Sequence, residues 1–181
     1  MPMLEHIDRM DHRMCRACNQ ALRWRLIHPF FSLISRAGDG PIWYALIAAL
    51  PVYASLSGQS KGHYAAGSLA VAGLAGLMIY RFLKTRLARE RPFITYPDID
   101  CTNQPLDRYS FPSGHTLHAV MFTTITVAWF PAFAMVLVPL TLLIAASRLV
   151  LGLHYPTDVI VGAMIGFALA QYMLYLLPPM A

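Results

Sequence analysis

Ser147-Arg148-Leu149-Val150-Leu151-Gly152-Leu153-His154-Tyr155-Pro156-Thr157-Asp158 sets an arginine, a histidine and a carboxylate between two apolar runs, residues 131–151 and 156–177. Each run has the roughly 20 residues that an α-helix needs to cross a bilayer, and Pro156 suits the first position of the second helix. The stretch reads as a tight connection between two membrane spans. Charged groups at such a depth are costly and mark functional sites by default. His154 and Asp158 are spaced so that a carboxylate in the first helical turn reaches back to the imidazole. Such a carboxylate fixes the tautomer and leaves the other ring nitrogen free as base or nucleophile. The alternative is an acidic residue that complements a helix dipole beside an interfacial histidine.

Outward from this connection the chain keeps the same character. Its 181 residues are 57% hydrophobic and 13% charged, with a mean hydropathy of +0.50, too apolar for an ordinary soluble domain. The expected fold is all-α, a polytopic transmembrane bundle of about five spans: residues 42–56, 64–83, 113–130, 131–151 and 156–177. Residues 1–19 form a polar N-terminal segment with no pattern of a cleaved signal peptide. In residues 20–40, Leu22, Leu26, Phe30, Leu33 and Ile34 recur on a helical spacing with Arg23 and Arg25 between them. They predict an interfacial amphipathic helix closed by the turn Gly38-Asp39-Gly40-Pro41. Residues 41–181 then make the five-span domain, with residues 84–112 as an active-site loop. Pro51 is expected to kink the first span, and Gly162 with Gly166 predicts close helix packing inside the bundle.

The charge of +5 and pI near 9.3 suit anionic headgroups, a phosphorylated substrate or topology. Nucleic acid is excluded, because the arginines are scattered around the spans and gather on no soluble face. Cys15 and Cys18, with His12 before them, make half of a zinc site, but no second pair follows, and with Cys101 they read as free thiols. Asp98, Asp100 and Asp107 are irregularly spaced and read as a solvated lid rather than metal ligands.

Five spans bring three polar places to one side of the membrane. At the end of the second span, Lys84 and Arg91 share a face if the helix continues, and two cations on one face form an oxyanion clamp. Arg86 and Arg89 point elsewhere and read as a flank that snorkels to headgroups. At the start of the third span, Pro112-Ser113-Gly114-His115-Thr116 offers backbone N–H groups and a hydroxyl to an anion, with His115 beside it. The bland reading of Ser113 is a helix cap, and His118 reads as a packed polar residue. The third place is the connection quoted above.

Together, Lys84-x6-Arg91-Pro92, Pro112-Ser113-Gly114-His115 and Ser147-Arg148-x5-His154-x3-Asp158 resemble the three-part signature of the type 2 phosphatidic acid phosphatase superfamily. That superfamily also includes vanadium haloperoxidases. The resemblance implies that His154 takes the phosphoryl group, that Asp158 orients it, and that His115 protonates the leaving oxygen. It implies that Lys84, Arg91, Ser113, Gly114 and Arg148 hold the phosphoryl oxygens. No metal and no cofactor are implied. The expected protein is a multi-pass phosphatase of a bacterial cytoplasmic membrane. It acts on a membrane lipid phosphate or diphosphate such as undecaprenyl diphosphate, phosphatidylglycerol phosphate or phosphatidate. Many bacterial members have six spans, and this chain resembles a five-span version. A lipid-to-lipid phosphotransferase would use the same residues, and a non-enzymatic lipid-phosphate binder would need only the cations. All Lys and Arg except Lys61 fall on the side of the site, which by the positive-inside rule is cytoplasmic.

Overall fold

The computed structural model describes residues 2–58, 60–101, 105 and 107–179, with side chains from residue 5 onward. Among the described residues eight α-helices follow one another: α1 Pro2–Asn19, α2 Ile27–Gly38, α3 Pro41–Ser57, α4 Lys61–Leu87, the single turn α5 Pro92–Thr95, α6 Gly114–Trp129, α7 Ala134–Val150 and α8 Pro156–Leu176. Short 3-10 turns, Gln20–Arg23 and Pro131–Phe133, precede α2 and α7. The described residues contain no strand, so the all-α bundle expected from the sequence is the observed fold. α4, α7 and α8 are each long and apolar enough to cross a bilayer. α2 and α3, bent by 48° at their break, meet the same test as a pair.

α6 sits at the centre, packed on α4, α7 and α8. Its 16 residues span about 24 Å, less than the roughly 30 Å hydrocarbon thickness. It is nonetheless the most enclosed helix: Leu117, Ala119, Met121 and Ile125 are fully buried. The α6–α8 contact is the most extensive, and glycine makes it possible. A Cβ on Gly166 would stand 2.2 Å from the Leu117 carbonyl oxygen, and one on Gly162 would stand 2.6 Å from that of Ser113. The expected close-packing pair thus works inside the bundle, where bare backbone replaces side chains at the contact. Trp43, Leu50, Leu69, Phe122 and Trp129 fill the space between α3, α4 and α6. Leu56, Met135 and Tyr175 point outward, which suits a lipid-facing rim.

Three local expectations change. The polar residues 1–19 are helical, as α1. The interfacial helix foreseen over 20–40 is shorter, and α2 turns Ser32, Ser35 and Gly38 inward, with Gly38 against Ile144 of α7. A sharp bend not foreseen in the sequence lies at the Gly40 break between α2 and α3, where φ is +139°, and α3 itself runs on through Pro51.

Candidate active site

The C-terminal ends of α4 and α7 and the N-terminal ends of α6 and α8 meet at one end of the bundle, around a cavity of about 520 Å³. Lys84, Arg91, Gly114, His115, Arg148 and His154 all line it. Six of the eight residues singled out from the sequence therefore face one space. The other two, Ser113 and Asp158, stand behind it.

Each side chain is placed by a helix end. Lys84 lies in the last turn of α4, 7% exposed, with Nζ 2.6 Å from Asp107 Oδ2. α4 stops at Leu87, where Ala88 takes a left-handed conformation, so Lys84 and Arg91 do not share a helix face as the spacing suggested. Arg91 instead caps α5 and folds back. Its Nη2 donates to Asp107 Oδ1 (2.7 Å), its Nη1 to the Leu153 carbonyl (2.7 Å), and Nη1 stands 3.5 Å from His154 Nε2. Arg148, in the last turn of α7, is 3% exposed, with Nη1 on Ser35 Oγ and Nε unpartnered. A buried guanidinium with a free donor beside a cavity is a polar group awaiting an acceptor.

Ser113 is the N-cap of α6. Its hydroxyl turns to Thr116 Oγ1 (2.9 Å) and away from the cavity, so the capping role is the one the geometry displays. Gly114 presents its backbone to the cavity opposite the Tyr80 ring, at 3.3 Å from where a Cβ would sit. His115 Nε2 is held by Asp39 Oδ1, from the turn between α2 and α3. His118 is hydrogen-bonded to the Gly114 carbonyl at 2.8 Å and lines the same cavity.

His154 is 1% exposed. Burial, reinforced by Arg148, Arg91 and Lys84, holds its ring well below the ordinary imidazole range, so it is neutral at neutral pH. Nε2 faces Arg91 and the cavity, while Nδ1 has no hydrogen-bond partner and stands 3.7 Å from Asp158 Oδ2. The two residues are adjacent but not bonded. Asp158 is instead anchored by its neighbours: Tyr155 N–H donates to Oδ2 (2.9 Å) and Arg89 Nη1 to Oδ1 (2.9 Å).

Two residues were misread in the sequence. Arg89, taken for a headgroup-facing flank, points inward to Asp158, Thr157 and Asp11, whereas Arg86 is exposed over the Phe82 ring. Asp107, taken for part of a solvated lid, bridges Lys84 and Arg91. Burial alone would raise its carboxyl, but the Lys84 and Arg91 cations outweigh that and hold it below the usual carboxylate range. Asp39 and Asp11 carried no signal, since each meets its partner only through tertiary packing. Cys15 is buried with its Sγ toward the His154 carbonyl oxygen, and His12 stacks on Tyr96 and bonds Asp98. Among the described residues no group of three or more His, Cys, Asp or Glu side chains is arranged to hold a metal ion.

The curated decaprenylphosphoryl-5-phosphoribose phosphatase of Mycolicibacterium smegmatis is 38% identical over 124 residues, which is 66% of this chain and 62% of that relative. The crystal structure of Aquifex aeolicus LpxE is similar over 92% of this chain and 95% of its own, with 27% identity and a TM-score of 0.79. A PAP2-type phosphatidylglycerolphosphate phosphatase of Bacillus subtilis shares the fold over 94% of this chain and 86% of its own, with 19% identity and a TM-score of 0.78. The profile of the PAP2 superfamily matches residues 64–179, well over half of the chain and every one of the three motifs, and the protein belongs to that superfamily.

Proposed function

We propose that the protein is a metal-independent lipid phosphate phosphatase that works through a phosphohistidine at His154. The observation that carries this reading is the cavity itself. At one end it gathers Lys84, Arg91 and Arg148 around a neutral imidazole, and at the other it is walled by Trp43, Ile47, Leu69 and Leu77 between α3 and α4. A phosphate head with an apolar tail fits that division of polarity. The similarity to a decaprenylphosphoryl-5-phosphoribose phosphatase supports it.

In this mechanism His154 Nε2 attacks phosphorus in line with the leaving oxygen. The P–N bond forms as the P–O bond breaks, and His115 gives its proton to the departing lipid oxygen. Positive charge grows on the His154 ring, and the Asp158 carboxylate beside Nδ1 stabilises it. The three cations and the Gly114 backbone hold the phosphoryl oxygens, the dominant requirement in phosphoryl transfer. Water then attacks the phosphohistidine while His115 takes its proton, releasing inorganic phosphate and neutral His154. Candidate substrates are undecaprenyl diphosphate, phosphatidylglycerol phosphate and phosphatidate. The basic surplus on the side of the site supports a cytoplasmic-facing site in a bacterial inner membrane.

The test is phosphate release from a panel of these lipids in detergent with EDTA present, by wild type and His154→Ala. Release by the wild type from at least one lipid and none by the variant is expected. No release from any lipid, or near-normal turnover by the variant, would refute the reading.

A further inference from the structure

α1 lies outside the matched segment 64–179, yet one of its faces is committed to the catalytic end of the bundle. Asp11, Cys15 and Asn19 recur on successive turns, and all three are buried. Asn19 donates to the Asp100 and Val150 carbonyls (2.8 and 3.0 Å) and accepts from Asp100 N–H (2.9 Å). Cys15 Sγ lies 3.8 Å from the His154 carbonyl oxygen. Asp11, 2% exposed, accepts from Thr157 N–H (3.1 Å), from the Thr157 hydroxyl, and from Arg89 Nη2 (2.8 Å). The other terminal nitrogen of Arg89 reaches Asp158 Oδ1 at 2.9 Å and Thr157 Oγ1 at 2.8 Å, and its guanidinium lies 3.9 Å from the Tyr155 ring centroid.

One guanidinium thus joins two buried carboxylates, Asp11 from α1 and Asp158 from α8. Docking α1 would not require this, because burying charges is costly and an apolar contact would serve as well. What the arrangement does is fix Asp158. Arg89 donates to Oδ1 and Tyr155 N–H to Oδ2, and Oδ2 is thereby held 3.7 Å from His154 Nδ1. We propose that Asp11 and Arg89 are positioning residues that hold Asp158 toward His154, so that α1 forms part of the catalytic unit. The inference rests on the reading of His154 and Asp158 as the nucleophile and its orienting carboxylate.

The test is a double-mutant cycle on the full chain in detergent, with kcat and KM for phosphate release from the best lipid of the panel. Asp11→Asn keeps an oxygen toward Thr157 and removes the buried α1 charge that aims Arg89, leaving from α1 only the exposed Asp8, 3.3 Å from Nη2. Arg89→Gln removes the link itself. Each is expected to lower kcat about ten- to a hundredfold, as the outer partners of a functional imidazole do, with KM within about twofold. Either change combined with Asp158→Asn should be no slower than Asp158→Asn alone, since both act through that carboxylate. If Arg89→Gln does not fold, the Asp11→Asn cycle decides. A slow Asp158→Asn variant beside Asp11→Asn at wild-type kcat, or losses that multiply with Asp158→Asn, would overturn the positioning role alone. Wild-type kcat in Asp158→Asn would overturn the catalytic reading beneath it as well.

Discussion

Asp107 occupies the place where a phosphoryl group would meet its cations, and removing its charge should tighten anion binding. Its carboxylate makes two charge-assisted contacts, 2.6 Å to Lys84 Nζ and 2.7 Å to Arg91 Nη2, from a side chain that is 32% exposed. Buried contacts of this kind are worth about 1.5–3 kcal/mol each and exposed ones about 0.2–1. Partial exposure places the pair at about 1–2 kcal/mol. An incoming phosphate must displace it, whereas Asp107→Asn leaves a neutral acceptor that the anion replaces more easily. At 1.4 kcal/mol per tenfold, the inhibition constant for orthovanadate, which adopts the geometry of an in-line attack, should fall by about five- to thirtyfold in the variant. The assay is competitive inhibition of lipid phosphate hydrolysis in detergent. Because Lys84 and Arg91 hold the Asp107 carboxyl below the usual range, it stays ionised across neutral and mildly acidic pH. The ratio of wild-type to variant inhibition constants should therefore be flat between about pH 6 and 8. It should shrink only as pH falls through the depressed value. A weaker inhibition constant in Asp107→Asn would refute the reasoning, because it would make the carboxylate an organiser of the clamp rather than a competitor for it.

Two further outcomes follow from the packing. Gly166→Ala should destabilise the fold by at least the roughly 1–3 kcal/mol that overpacking costs, read as a lower thermal unfolding midpoint in detergent. Its Cβ would meet the backbone oxygen of Leu117 at 2.2 Å and force α8 away from α6. An unchanged midpoint would contradict the close helix contact. Cys15 should resist maleimide at neutral pH until the protein unfolds, since burial, with Cys18, Asp11 and other acidic groups nearby, pushes its thiol up to about 12. Rapid labelling of Cys15 in the native protein would mean that α1 is not docked.

The parts of this fold that could be read from the sequence are those whose meaning is local. Apolar run length marked α4, α7 and α8, and the three motifs sit at helix ends because proline, glycine and serine set those ends at fixed offsets. Six of the eight named residues line one cavity for that reason. Readings failed where the outcome depended on a partner far along the chain. Lys84 and Arg91 do converge, but through a helix end at Leu87 and a returning loop, not along one helix face. The inward turn of Arg89 depends on Asp11 and Asp158, which are 78 and 69 residues away. Asp107 looked like any loop carboxylate until two cations were folded against it. Asp11, Cys15 and Asn19 stand four residues apart, but nothing local showed that residues 1–19 are helical or that this face meets the loop that carries His154.

The claim at the centre of this account is that phosphorus is transferred to His154 before water takes it. It is tested most directly by mixing the enzyme with radiolabelled lipid phosphate, quenching in alkali within one turnover, and mapping the label by peptide. The account predicts an acid-labile, alkali-stable phosphoryl group on the peptide that carries His154, absent from His154→Ala. Label on another residue, or turnover with no labelled protein at any time and undiminished activity in His154→Ala, would contradict it.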